Sequence, residues 1–148
     1  WSPEAIEDDL KILSSHGVKY MRVFPIWSDF QPVKPLITSF GRLMEYRLEG
    51  DKFPENPYYL DEVMLERFSV FCDLCEKYDI KLVVGLITGY MSGRLFVPSA
   101  LYDRNIYSDP VAILFQQRFI TGFVKRFKDR KAIYAWDLGN ECNNILHG

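Results

Sequence analysis

Apolar positions along the chain repeat at two alternating periods. Ile6, Leu10 and Leu13 recur at helical spacing behind Ser2-Pro3-Glu4, which reads as a helix start. Ser2 can cap free amides, Pro3 suits the first turn, and Glu4, Glu7, Asp8 and Asp9 favour the positive helix end. Gly17 follows His16 where a left-handed helix terminus is wanted, and Val18 to Phe24 then reads as a strand stopped by Pro25. The same unit recurs. Met64, Phe68, Phe71, Cys72 and Cys75 predict a helix over Asp61 to Tyr78, and Lys81 to Thr88 predicts a strand apolar on both faces, as in parallel sheets. A third copy starts at Ser108-Asp109-Pro110, carries Phe115, Phe119, Ile120, Phe123, Val124 and Phe127, and leads into a strand over Ala132 to Leu138.

Three helix-strand units in a row predict an α/β fold of parallel strands and alternating helices. The helix-to-strand turns at His16-Gly17, Tyr78 to Ile80 and Lys128 to Lys131 are short, whereas the strand-to-helix connections 26–60 and 89–108 are long. Connections that long without regular structure are usually functional. Both leave the same ends of the strands, where α/β folds build their sites. They carry Trp27, Phe30, Phe40, Tyr46, Phe53, Tyr58, Tyr59, Tyr90, Phe96, Tyr102 and Tyr107, an aromatic load that suits ligands with flat apolar faces, such as sugars. Most of these rings are expected to pack their own loop. Trp27 and Tyr90, each just past a strand end, are expected to reach the mouth of the site.

Composition narrows the class. At 148 residues, 48% apolar, 26% charged and net charge −2, the chain suits one globular domain with a real core, not a disordered segment or a coiled coil. Eighteen Lys and Arg against twenty Asp and Glu, spread without runs, form no basic stripe, so nucleic acid is not an expected partner. No apolar stretch approaches the roughly 20 residues that cross a bilayer, so no membrane partner is expected, and the N-terminus lacks signal-peptide order. The chain opens at Trp1, and compartment cannot be read from that end. Cys72 and Cys75 read as small apolar residues on a buried helix face rather than zinc ligands. No His pair or carboxylate cluster has ligand spacing, and no Gly-rich phosphate loop is present, so neither metal nor organic cofactor is implied. His16 reads as structural, and His147 lies in the tail.

Candidate chemistry sits at the end of the last strand, where Trp136-Asp137-Leu138-Gly139-Asn140-Glu141 places a Gly, an amide and a carboxylate in succession. A Glu half enclosed there by aromatic and apolar neighbours would have its pKa raised, which suits a general acid. Strict alternation would turn Asn140 and Glu141 to opposite faces, so joint service requires a bulge or the end of pairing, which Gly139 makes easy. Arg22 from the first strand and Asp137 or Glu141 from the last can share a layer of a barrel.

These residues resemble the strand-four signature of clan A glycoside hydrolases, closest to glycoside hydrolase family 5, the cellulase and mannanase group. Gly17-Val18 leading into Met21-Arg22-Val23-Phe24-Pro25 resembles the second strand of the same family, so the likeness covers nearly the whole chain. It implies part of a (β/α)8 TIM barrel, with residues 1–148 as an incomplete N-terminal half of a catalytic domain. It further implies a retaining mechanism on β-linked polysaccharide such as mannan or glucan, using two carboxylates about 5 to 5.5 Å apart, in an extracellular or periplasmic setting. By that resemblance Glu141 matches the acid/base, Asn140 the residue that hydrogen-bonds the sugar 2-hydroxyl, and Arg22 the arginine that orients the nucleophile. Trp27, Tyr90 and Trp136 are the expected sugar contacts. Two departures stand out: Cys142 follows Glu141 where the family usually has Pro, and Thr88 is the only polar residue near the end of the middle strand, where His is frequent.

A complete barrel needs eight strands and roughly 250 residues, and three strand segments are read here. The family's nucleophile lies on a later strand, outside this chain, and Asp137 on the same strand as Glu141 is a poor partner across a glycosidic bond. The isolated chain is therefore expected not to hydrolyse glycosides. Its open sheet edges invite pairing, so a piece of a larger enzyme and a self-associating half-barrel are both carried forward. A non-catalytic carbohydrate-binding fragment is the alternative function.

Overall fold

The computed structural model describes residues 1–145, so His147 lies outside the described residues. Helix α1 (Pro3–Ser15) starts as its sequence dictates: Ser2 Oγ accepts from the Ala5 amide at 3.3 Å, and the helix runs out through His16 into Gly17 at φ 80°. Strand β1 (Tyr20–Val23) follows. Next come the short helix α2 (Trp27–Phe30) and a hairpin of β2 (Val33–Ile37) and β3 (Leu43–Leu48). Helix α3 (Glu62–Lys77) is capped by Asp61, whose carboxylate accepts from the Met64 amide at 2.9 Å, and leads into β4 (Lys81–Ile87). A two-residue-per-arm hairpin, β5 (Tyr90–Met91) and β6 (Arg94–Leu95), precedes α4 (Pro110–Phe127), whose N-terminus is capped by Asp109. Strand β7 (Ile133–Gly139) closes the series.

β1, β4 and β7 form one parallel sheet in that order, with β4 central. This is the α/β arrangement of parallel strands and alternating helices that the repeats predict, and it fits the partial (β/α)8 barrel that the resemblance implies. β1 and β7 are the edge strands among the described residues. In register, Arg22 lies opposite Val83 and Val83 opposite Ala135, while Gly85 lies opposite Asp137. One face of the sheet carries Met21, Val23, Leu82, Val84 and Leu86 against the helices; the other carries Tyr20, Arg22, Val83, Gly85 and Asp137.

The helix side holds the core. Phe119, Phe123 and Phe127 run down α4 at helical spacing, all buried, and Phe68 of α3 meets Phe123 and Phe127 with ring centroids 5.0 and 4.9 Å apart. Cys72 and Cys75 are fully buried in this layer, where loss of water pushes both thiols up to about 12. They pack as small apolar residues, as their spacing suggests.

The long connections differ from expectation. Residues 26–60 and 89–108 are not irregular loops: they contain α2 and two antiparallel hairpins. The first hairpin packs Tyr46 edge-on against Phe115, at 5.1 Å, so these rings extend the core instead of lining an open cleft. No described helix is long and apolar enough to cross a membrane.

Candidate active site

The carboxyl ends of the parallel strands gather four of the chemistry-bearing residues. β7 leaves the sheet at Gly139, where an added Cβ would stand 2.6 Å from the Ile87 carbonyl oxygen and 2.7 Å from Cys142 Sγ, so no side chain fits. The Asn140 amide still donates to Ile87 O at 3.4 Å. Glu141 then turns to φ 46°, ψ 44°, a left-handed conformation that is uncommon for a residue bearing a Cβ. The strand alternation is thus broken between Asn140 and Glu141, as joint service of the two side chains requires.

Arg22 crosses from β1 to reach this turn. Its Nε donates to Asp137 Oδ2 at 2.9 Å, and Nη2 donates to the same oxygen. Nη2 also lies 3.3 Å from Gly139 O, and Nη1 donates to Asn140 Oδ1 at 3.4 Å. Asn140 Nδ2 in turn donates to the Tyr90 carbonyl at 3.2 Å, so β1, β5 and β7 are joined through one amide side chain. From the loop before α4, Tyr107 donates its hydroxyl proton to the carbonyl of Cys142, on the far side of Glu141. No group of three or more His, Cys, Asp or Glu with metal-holding geometry occurs among the described residues.

No family model and no curated protein matches the chain. Solved structures do match. A GH5_18 protein from Streptomyces cattleya, in complex with Manb1-4GlcNAc, superposes with a TM-score of 0.75 at 20% identity, over 97% of this chain and 30% of that one. A GH5_18 protein from Bifidobacterium longum subsp. infantis gives 0.74 at 18% identity, over 95% and 29%. An exo-beta-1,4-mannosidase from the Opitutaceae bacterium strain TAV5 gives 0.70 at 30% identity, over 95% and 21%. The chain is a partial GH5-like fold. It spans less than a third of the length of each of these neighbours.

Not every expected site residue of this GH5-like chain lies at the rim. Trp27 is a correction: it is 0% exposed, and its Nε1 donates at 2.8 Å to Gln31 Oε1, so it anchors α2 in the core and cannot meet a sugar. Buried Gln31 passes the link on to the Tyr58 carbonyl at 2.9 Å, which satisfies the polar atoms that burial of Trp27 and Gln31 brings inside. Trp136 is a second correction. Its register partner is Val84, on the helix side of the sheet, and its ring meets Phe123 at 6.3 Å. Tyr90 is half-buried and serves the site through its carbonyl. Thr88 is fully buried, its hydroxyl turned to Gly85 O at 3.3 Å. Glu141 is exposed, without the enclosure by aromatic neighbours that its sequence context suggested.

Two contributors escaped the sequence. Gly85 and Phe24 lie beneath the Arg22 guanidinium: a Cβ on Gly85 would meet the Phe24 ring at 3.0 Å, and Arg22 Cζ stands 4.7 Å from the centre of that ring. A lone Gly inside an apolar strand is the signal that could have found this pair, because it marks close approach of another group.

Proposed function

We propose that the intact protein is a retaining glycoside hydrolase acting on β-mannosidic bonds, with Glu141 as its acid/base residue. The observation that carries this is the left-handed exit of β7, where Glu141 directly follows Asn140, itself bonded to Arg22, at the carboxyl rim of a parallel sheet. Strain of this kind at a strand end persists only where neighbouring contacts enforce it, and functional sites are where it clusters. Mannose is favoured over glucose because the structural neighbours include an exo-beta-1,4-mannosidase and a complex with Manb1-4GlcNAc.

In this mechanism Glu141 protonates the leaving oxygen while a carboxylate about 5 to 5.5 Å away attacks the anomeric carbon; Glu141 then deprotonates the water that releases the sugar. Asp137 lies on β7, the strand that Glu141 leaves, a poor position across a glycosidic bond, and does not supply that nucleophile. The nucleophile comes from a part of the barrel beyond these three strands, and the isolated chain does not turn over substrate. Asn140 presents its amide to the sugar 2-hydroxyl, which competes with the Tyr90 carbonyl for Nδ2.

The test is Glu141→Gln in the intact protein. Turnover of 4-nitrophenyl β-mannoside falls about 10²- to 10⁴-fold, the usual weight of a general acid-base group. A 2,4-dinitrophenyl substrate, whose leaving group needs no proton, loses much less in its first step. Equal activity of variant and parent on both substrates would falsify the assignment.

A further inference from the structure

We infer that Asp137 is a positioning residue of this site, clamping the Arg22 guanidinium and the backbone turn at Gly139 into one unit. The inference rests on the glycosidase reading above. The two oxygens of Asp137 divide the work. Oδ2 accepts from Nε and Nη2 of Arg22, while Oδ1 accepts from the Gly139 amide at 3.3 Å. The guanidinium also donates to Gly139 O and Asn140 Oδ1. These hydrogen bonds all end on Asp137, Gly139 and Asn140, within the four residues that lead into the left-handed Glu141.

The reach is long. Arg22 and Asp137 belong to strands separated by β4, two strand spacings of roughly 4.8 Å each. They meet because the residue of β4 facing Asp137 is Gly85, whose empty side-chain position is covered by Phe24, and the ring of Phe24 carries the guanidinium across. Three strand residues and Phe24, just past the end of β1, are therefore arranged for one ion pair.

Stability does not account for it. The side chains of Arg22 and Asp137 are 45% and 33% exposed, and pairs so open to water contribute little to folding. What the pair fixes is direction: without it, Gly139 has no partner for its amide from Asp137, and Asn140 loses the donor that holds its Oδ1.

The experiment uses the intact protein and 4-nitrophenyl β-mannoside. Asp137→Asn keeps shape and volume but weakens the hold on Arg22; kcat falls about tenfold or more with KM within about threefold, as for an interaction realised mainly in the transition state. Asp137→Glu, which keeps the charge, recovers part of kcat. Because the two residues act as a unit, Arg22→Met/Asp137→Asn is no slower than Arg22→Met alone. Gly85→Ala, which alters neither charge, lowers kcat by displacing Phe24. Multiplicative losses in the double variant, or a kcat unmoved by both Asp137→Asn and Gly85→Ala, overturn the inference alone. An unaltered protein that releases no nitrophenol overturns the glycosidase reading and this inference with it.

Discussion

Two arginines mark the two rims of the sheet, and their surroundings differ in kind. Arg130, in the turn before β7, sits at the amino-terminal rim. Its Nη2 bonds Asp73, also reaching Ser69 O at 3.3 Å, and its Nε makes a charge contact with Glu76 Oε1 at 3.2 Å. Glu76 Oε1 also accepts from the Ala132 amide at 3.2 Å. All three partners lie on successive turns of α3, so this cluster ties a helix to the start of a strand in ordinary backbone geometry. Arg22, at the carboxyl rim, bonds instead to a strand end that has left regular pairing and is followed by a left-handed residue. One rim spends its charge on closing short connections and the other on holding an unusual turn, the division expected of a barrel whose chemistry lies at the carboxyl end.

The sharpest way to break that comparison is Arg130→Met. It removes a guanidinium that is three-quarters shielded from water, although its partner Asp73 is 63% exposed, and costs about 1–3 kcal/mol of stability by the usual worth of hydrogen bonds to charged groups. Denaturant unfolding measures that loss, and turnover per folded molecule stays at the parent value. A fall in kcat of the same size as that from Arg22→Met would erase the distinction between the rims.

Asp109 sharpens the comparison from the other side, because it lies at the carboxyl rim yet has a structural job. Its Oδ1 accepts from the Val111 and Ala112 amides at 2.8 and 3.1 Å, and its Oδ2 accepts from Arg104 at 2.9 Å. Asp109→Ala strips the cap from α4 and costs about 1 kcal/mol, with no change in KM. Asp109→Asn, which keeps an acceptor for the cap, loses less. A raised KM in either variant would mean that rim position alone, not contact with the β7 exit, makes a residue functional.

How much of this was legible beforehand depends on the range of the interaction. The helix starts at Ser2, Asp61 and Asp109 follow from local capping chemistry, and the parallel class follows from the helix-strand repeat with its one strand apolar on both faces, Lys81 to Thr88, so both are written in neighbouring residues. Trp27 misled because its position past a strand end says nothing about α2, which turns the ring into the core, where Gln31 four residues on satisfies its indole. Trp136 misled for a different reason: it belongs to the strand-end motif, whereas alternation along β7 turns it to the face opposite Asp137, toward Phe123. The meeting of Arg22 with Asp137 needed the register of all three strands and the gap at Gly85, which no single segment encodes.

The smallest expected effect concerns Glu7, which ties α1 to the end of α3 near the amino-terminal rim. Its Oε1 accepts from Lys77 Nζ and, at 2.9 Å, from Tyr78 OH. Those donors, Lys77 first and Tyr78 second, hold its carboxyl below the ordinary 4.5, and Glu7 holds the Lys77 ammonium above its ordinary 10.5. A carboxyl with a depressed folded-state pKa adds stability that is complete above its unfolded value and disappears as pH falls through its folded value. The ammonium, with its pKa raised, adds stability below about 10.5 that disappears as pH rises further. Thermal unfolding of Glu7→Gln should therefore lie slightly below the parent at pH 7 and converge with it in acid well below pH 4.5, with the gap shrinking in added salt because the pair is exposed. The upper rim should not notice: a Glu7→Gln variant with altered turnover at pH 7 would show that the two rims are coupled through α1, and that their separate construction does not give separate function.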